Sequence, residues 1–419
     1  MRSSLAALVG GKRVDSDRLG KHRPSVRRRF HEYCSFYSTM TRNLGGILTS
    51  ITVAHRPPLA DWLRSLLPNA EHGGAPAAMH REVFGLERVD ELKDCVLIAG
   101  DASPRKYYRV TFSSATADCD VTMIGVDSPA SENNDAFLAI RALFESAGIR
   151  VPSLIAAELP WGYWLLEDLG DDTLLPLLSD HSVSVWYPKA LNTLAAIAAV
   201  DTTRAELPPY DANRLTSELA LFSDWFVPQL LDLDLSDQLR PVYEALTALL
   251  VDNALSQPQV LVHRDYHSRN LMVLNNHDLA VIDFQDAVIG PLTYDPVSLL
   301  KDCYLRWSRE RQLAWLRDYQ RQLESAGRLP ALPEATLIRW FDLMGLQRHL
   351  KVLGIFARLA LRDGKQAYLS DLPRVLAYVI EVLDLYAESD AAISDFRAVF
   401  SARILPECHK ATWFALGPA

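Results

Sequence analysis

Residues 260–286 read VLVHRDYHSRNLMVLNNHDLAVIDFQD. The apolar run 260–262 leads into a polar turn that holds Asp265 and Asn270, and a second apolar run, 279–282, delivers Asp283. Two short apolar runs flank Asn275, Asn276, His277 and Asp278. That reads as a hairpin, because Asn and Asp tolerate the left-handed backbone of a tight turn. Three acid or amide side chains are thereby expected at one end of a small sheet. A single Asp or Asn in a loop reads as turn chemistry; three at fixed spacing between strands read as a site.

The set has the parts that phosphoryl transfer needs. A carboxylate orients and deprotonates the attacking hydroxyl, and oxygen ligands hold magnesium on the phosphates. His263-Arg264-Asp265-Tyr266-His267-Ser268-Arg269-Asn270 has the spacing of the protein-kinase loop H-R-D-x-x-x-x-N, and Asp283-Phe284-Gln285 stands where kinases carry D-F-G. With His267 two residues after the aspartate and Gln285 in place of glycine, the segment resembles the aminoglycoside phosphotransferase superfamily rather than the protein kinases. The resemblance implies an α+β, protein-kinase-like fold with a small β-rich N-lobe and a larger, mostly helical C-lobe. It implies ATP and Mg2+ as cofactors, Asp265 as the catalytic base, and Asn270 and Asp283 as metal ligands.

Composition sets the outer limits. A hydrophobic fraction of 49% with 23% charged residues is ordinary for a soluble globular protein, and no apolar run approaches the roughly 18 residues of a membrane span. Five dispersed cysteines without CxxC spacing, Cys34, Cys95, Cys119, Cys303 and Cys408, argue against a disulfide framework or a zinc cluster. A cytoplasmic protein without stable membrane association is expected. Net charge is −9, yet residues 1–56 hold eleven Lys or Arg against three Asp or Glu. The remainder is therefore strongly acidic, which disfavours nucleic acid as a partner. The basic leader, 1–56, lacks sustained periodicity and reads as dispensable; no obligate protein partner is expected.

Upstream of the site, the N-lobe is expected over 57–169. PLADWLRSLL, residues 58–67, reads as a short amphipathic helix. From Cys95 the pattern is strand, turn, strand: CVLIAG, DASPRK, YYRVTF, then CDVTMIGVD. The turn Gly100-Asp101-Ala102-Ser103-Pro104-Arg105-Lys106 occupies the place of a phosphate-covering loop, which works through backbone N–H groups and nearby positive charge. ATP-binding candidates are Ala102 and Ser103, small enough for close approach, and Arg105, Lys106 and Arg109, which supply charge. Kinases carry a lysine on the third strand; the third candidate strand, 120–127, has neither lysine nor arginine. Either Arg105 or Lys106 substitutes, or magnesium and backbone position the phosphates. Residues 132–147 suit an amphipathic helix, and Trp164-Leu165-Leu166-Glu167-Asp168-Leu169-Gly170 looks like a last strand entering a hinge. Backbone groups there, at Glu167 and Leu169, are expected to bind adenine.

Residues 170–419 read as the helical C-lobe, with helices over 184–200, 213–233, 236–254, 333–362 and 373–387 and ATP in the cleft between the lobes. Further blocks narrow the resemblance. GDAS at 100–103, YYRV at 107–110, HRDYHSRNLMV at 263–273, IDFQDAVIGPLTYDPVSLLKDCY at 282–304 and GLQRHLKVLG at 345–354 together resemble the bacterial anomeric amino-sugar kinases over roughly residues 58–405. That family phosphorylates N-acetylmuramic acid and N-acetylglucosamine at the anomeric hydroxyl in cell-wall recycling. The resemblance implies an amino-sugar substrate, a C1 hydroxyl activated by Asp265, and an α-1-phosphate product.

A muramate carboxylate wants arginine or lysine. Arg348 and Lys351 share a helix face and are substrate candidates, with His267, Arg269, Gln347 and, on the 213–233 helix, Glu218 and Trp225. Asp295 and Asp302 read as loop-orienting residues. Two alternatives stand beside this reading: an aminoglycoside or other small-alcohol phosphotransferase, and a catalytically silent nucleotide-binding protein, suggested by the missing strand lysine. A silent module has no physical need for the base and both metal ligands.

Overall fold

The structure is a computed structural model that describes residues 56–67, 89–99, 104–114, 120–203, 207–234 and 239–416. Residues 1–55 of the expected leader, and Ala102 and Ser103 of the expected phosphate loop, lie outside the described residues. From Pro58 onward the chain belongs to one compact unit.

Strands β1 (Val89–Ala99), β2 (Lys106–Ser114), β3 (Val121–Asp127), β4 (Leu154–Glu158) and β5 (Tyr163–Glu167) form one antiparallel sheet in the order β1-β2-β3-β5-β4. β5 reads YWLLE, without polar alternation, because both of its faces are covered. Tyr163 and Leu165 pack with Val110, Phe112 and Leu63 of helix α1 (Leu59–Ser65) on one face. Trp164 and Leu166 belong to the main core on the other, with Phe137, Ile140 and Phe144 of α2 (Asn134–Ser146). The Asn133 side chain caps α2 by accepting from Ala136 N at 3.2 Å, the role short polar residues play at helix starts. The turn between β4 and β5 requires Gly162: its φ is +68°, and a Cβ there would lie 1.8 Å from the Ser128 carbonyl oxygen.

The larger lobe is helical: α3 (Val183–Ala198), α4 (Ala212–Leu221), α5 (Leu239–Leu255), α6 (Tyr294–Leu300), α7 (Arg309–Ser325), α8 (Glu334–Leu361), α9 (Leu372–Tyr386), α10 (Ala391–Val399) and α11 (Leu405–Lys410). The helix expected over 213–233 is α-helical only to Leu221 and continues as a π-helical segment, Phe222–Leu230, containing Pro228. Proline has no N–H for the regular ladder, and such wide turns occur where a helix is bent to fit its neighbours.

Two short ladders carry the loops of the site. β6 (Gln259–Val262) pairs antiparallel with β9 (Val288–Pro291), and β7 (Leu271–Val273) with β8 (Leu279–Val281). The expected single small sheet is therefore two ladders. The β7–β8 hairpin has its turn where expected, but the left-handed residue is His277, at φ +60°. Asn276 contributes differently, its Oδ1 accepting from Asp278 N at 3.1 Å. The hairpin is tied to the small lobe, since Val281 N donates to the Arg150 carbonyl at 2.8 Å.

Candidate active site

The turn after β6 is held from beneath by two buried carboxylates. Asp295, in the first turn of α6, accepts from His263 N at 2.7 Å and from Arg264 N at 3.0 Å. Burial pushes its carboxyl up to about 7, against the opposing pull of those two amides. Asp302 accepts from Ser268 N at 3.1 Å, Ser268 Oγ at 2.5 Å and Tyr304 N at 3.1 Å. His263 links the two strands of the site: Asp265 N donates to its Nδ1 at 3.2 Å, so the proton sits on Nε2, 3.0 Å from the Ile282 carbonyl. Arg264 and Asp283 have φ of +76° and +63°. Non-glycine residues hold such angles only where their surroundings over-determine them.

This scaffold gathers Asp265, Asn270 and Asp283. Asn270 Nδ2 donates to the Asp265 carbonyl at 3.0 Å and to Asp283 Oδ2 at 3.3 Å, while Gln285 Nε2 donates to Asp283 Oδ1 at 2.7 Å. With its amide nitrogen so committed, Asn270 presents Oδ1 beside the Asp283 carboxylate. Two hard oxygen donors of this kind fit Mg2+, which keeps water and phosphate oxygens as its remaining ligands. Among the described residues no cluster of three His, Cys, Asp or Glu side chains forms a closed metal cage.

The base is surrounded by positive charge. Burial alone would raise the Asp265 carboxyl; Arg348, Lys351, His267 and Arg264 outweigh it and hold the carboxyl below its ordinary value. Those cations are themselves fixed. Arg264 Nη2 lies 2.6 Å from Glu218 Oε1, and Lys351 Nζ lies 2.9 Å from Glu218 Oε2 and 3.0 Å from the Tyr294 hydroxyl. Tyr210 donates to the same carboxylate. Arg348 Nη1 donates to the Arg264 carbonyl at 3.1 Å and to the Tyr294 hydroxyl at 3.2 Å. Glu218, Arg348 and Lys351 thus stand together as a nearly buried layer behind Asp265.

The other substrate candidates divide. His267 is half-buried and packs edge-on to Tyr304, and Arg269 is exposed with its guanidinium carbon 3.5 Å from the Tyr304 ring centroid. Trp225 is half-buried against the helical core, and no hydrogen bond or ring contact joins it to the loop among the described residues. Gln347 is fully buried with neither amide atom bonded. Tyr294 and Tyr210 are the residues that sequence reasoning passed over. The signal lay in TYDP, where a tyrosine adjoins the loop-orienting Asp295.

In the small lobe, strand parity separates the expected phosphate cations. Arg105, only 2% exposed, lies 5.4 Å from the Phe137 ring and 5.5 Å from that of Trp164, with Nη2 4.0 Å from Glu132. Phe137 in turn stacks on Phe284, beside Asp283, at 5.0 Å. Lys106 is exposed on the opposite face, paired across the strands with Asp127. Arg109, the third expected phosphate cation, is bidentate to Asp168, at 2.7 and 3.0 Å, and reaches Asp171 at 2.7 Å. It braces the hinge, because the charge of Asp168 and Asp171 lies at its own end of the sheet. Glu167 has its side chain bound to Arg150 and to Ser153 N, and Leu169 follows just beyond β5.

Residues 94–335 match the phosphotransferase enzyme family, APH. The chain belongs to this family. An N-acetylmuramate/N-acetylglucosamine kinase of Pseudomonas putida is similar to this phosphotransferase at 41% identity over 287 residues, 68% of this chain and 82% of that protein. A protein of the same name in Pseudomonas aeruginosa is 38% identical over 322 residues, 76% and 89% of the two chains. Among solved structures, an ethanolamine kinase of Plasmodium vivax shares the fold, with a TM-score of 0.50 and 13% identity over 72% of this chain and 84% of its own. The phosphotransferase has the protein-kinase-like architecture expected of an ATP-dependent kinase, a small sheet lobe followed by a helical lobe.

Proposed function

We propose that this phosphotransferase moves the γ-phosphoryl group of ATP to the anomeric C1 hydroxyl of N-acetylmuramic acid and N-acetylglucosamine, giving the α-1-phosphate in cell-wall recycling. The observation that carries the reading is Asp265, an ionised carboxylate ringed by fixed cations and one turn from two oxygen donors. Asp265 orients the C1 hydroxyl and takes its proton as the oxygen bonds to phosphorus and the bond to ADP breaks. Asn270 Oδ1 and Asp283 hold Mg2+, which neutralises charge on the phosphates when bound. Arg264, Arg348 and Lys351 keep the base ionised, and Asp295 and Asp302 fix the loop that presents it. On the small-lobe side, Arg105 supplies positive charge near the third strand, and Leu169 offers backbone groups to adenine.

The same cations weigh against the aminoglycoside alternative. A polycationic acceptor wants unpaired carboxylates at its site; here Asp265 and Glu218 are already faced by Arg264, Arg348 and Lys351, and the exposed Arg269 adds a further cation. An anionic or neutral sugar suits that field better. No helix among the described residues is long and apolar enough to cross a membrane, and ATP as substrate goes with a cytoplasmic site of action.

Phosphorus and proton NMR of the purified protein with ATP, magnesium and each of N-acetylmuramic acid, N-acetylglucosamine and kanamycin tests this. A phosphate signal coupled to an α-anomeric proton supports the reading. Phosphate on kanamycin alone moves the protein to the antibiotic branch, and no product on any acceptor rejects both.

A further inference from the structure

We infer that Arg269, stacked on Tyr304, reads the carboxylate that distinguishes N-acetylmuramic acid from N-acetylglucosamine; the inference rests on the sugar-kinase reading above. The two sugars differ at C3, where one carries a lactyl ether ending in a carboxylate and the other a hydroxyl. C3 is two ring atoms from C1, so with C1 at Asp265 the carboxylate falls within a side chain's reach of the same loop. The reader must be a cation that is near the base, open to the cleft and not already neutralised.

Three of the four nearby cations fail that description. Arg264 and Lys351 share the Glu218 carboxylate. Arg348 is 4% exposed and bonded to the Arg264 carbonyl and the Tyr294 hydroxyl. Arg269 is exposed, immediately precedes Asn270, and forms no ion pair among the described residues. Among the described residues its partner is the face of Tyr304, 3.5 Å from guanidinium carbon to ring centroid. Face stacking leaves the in-plane N–H fork unused, which is the geometry that grips a carboxylate with two parallel hydrogen bonds.

The platform is rigid and continuous with the base. Tyr304 N donates to Asp302, which also anchors Ser268, and His267 packs against the Tyr304 ring at 5.5 Å. The arginine is therefore held in place before a sugar arrives, so less rotamer freedom is lost on binding. Arg348 and Lys351, the sequence-level candidates for the carboxylate, act instead on Asp265.

The test is kcat/KM for N-acetylmuramic acid, its methyl ester and N-acetylglucosamine, in the wild type, Arg269→Gln, Arg269→Lys and Tyr304→Leu. In the wild type the ester should fall below the acid by about 10- to 100-fold, mostly through KM. In R269Q acid and ester should become nearly equal, and the muramic-to-glucosamine ratio should drop by the same order; R269K should restore part of it and Y304L should fall between. An acid-to-ester ratio unchanged in R269Q, or an equal loss on all three sugars, overturns the inference while leaving the sugar-kinase reading standing. A wild type that turns over none of the three removes that reading, and the inference with it.

Discussion

Lys351 on α8 and Glu218 on α4 form an ion pair of 2.9 Å whose side chains are 9% and 10% exposed. Burial would raise the Glu218 carboxyl, but Lys351 and Arg264 outweigh it and hold the carboxyl below its ordinary value. Two cations depend on one carboxylate, so Glu218→Leu leaves both buried and uncompensated. The expected cost is about 3–5 kcal/mol of stability, read by urea unfolding; Glu218→Gln, which keeps one acceptor oxygen and the side chain's volume but turns a donor toward one of the cations, should cost somewhat less. A folded-state pKa below the unfolded one means this stabilisation is present above the unfolded value of 4.5 and lost as pH falls through the folded value. Stability of the wild type should fall on that acidic side more steeply than that of E218Q.

Asp265→Asn keeps shape and removes the base. The expected loss in kcat is about 10²- to 10⁴-fold, with nucleotide affinity retained, as isothermal titration with ADP would measure. A base works as its carboxylate, so activity falls as pH drops through its pKa. Held below 3.8 by the surrounding cations, Asp265 contributes no acidic limb to kcat/KM between pH 5 and 8. A limb inside that window would point to His267 instead, whose imidazole burial holds below its ordinary value.

Asp295 behaves oppositely. Its carboxyl is raised to about 7 from 3.8, so the folded state binds a proton that the unfolded state releases. The resulting stabilisation is fully present below pH 3.8 and lost as pH rises through 7. Asp295→Asn should flatten the stability curve over that window, measured by thermal unfolding at a series of pH values. Asparagine has one carbonyl oxygen for the two amides of His263 and Arg264, so the loop loosens, and kcat should drop by more than stability does.

The adjacent cations at the start of β2 give a paired comparison. Arg105 is buried beside the stacked rings of Phe137 and Trp164, whereas Lys106 is exposed. Arg105→Ala removes a buried guanidinium from beside the stacked Phe137 and Trp164 rings together with its bond to Ser128, so the melting temperature should fall and KM for ATP rise. Lys106→Ala should change stability by less than about 0.5 kcal/mol and leave KM for ATP nearly as it was. Equal effects on KM would mean that Lys106 contacts phosphate from the loop.

What the sequence disclosed follows from where its constraints are local. Asp265, Asn270 and Asp283 were legible because one turn and one hairpin fix their spacing, and the shared face of Arg348 and Lys351 follows from helical period, both reaching the Tyr294 hydroxyl. Their commitment to Glu218 and Tyr294 was not legible, since it depends on α4, α6 and α8 meeting. The partners of Arg109 were hidden for the same reason: they lie some sixty residues on, at Asp168 and Asp171. The β6–β9 pairing was hidden because β9 reads VIGP, where glycine and proline argue against a strand. Helix α7 carried a signal that went unused, a Ser308 cap with Leu316, Tyr319 and Leu323 buried at helical spacing.

Gly354 closes the GLQRHLKVLG block, and its role is steric. α8 crosses the junction of α4 and the π-helical segment so closely that a Cβ at 354 would lie 2.3 Å from the Leu221 carbonyl carbon and oxygen and 2.6 Å from Phe222 N. These are backbone atoms, so no rotamer change relieves the clash; the helices must separate. Gly354→Ala removes a helix-weakening glycine, which alone would stabilise by about 1 kcal/mol. Overpacking of this kind costs about 1–3 kcal/mol or more, and at 2.3 Å the clash outweighs the propensity gain. Separation also draws Glu218, on α4, away from Lys351, on α8, and so disturbs the field on Asp265. G354A should therefore lower both the melting temperature and kcat, while Gly364→Ala, where a Cβ meets nothing within 4 Å but φ is +70°, should lower stability alone. Loss of stability without loss of kcat in G354A would show that the α4–α8 crossing is not coupled to the base.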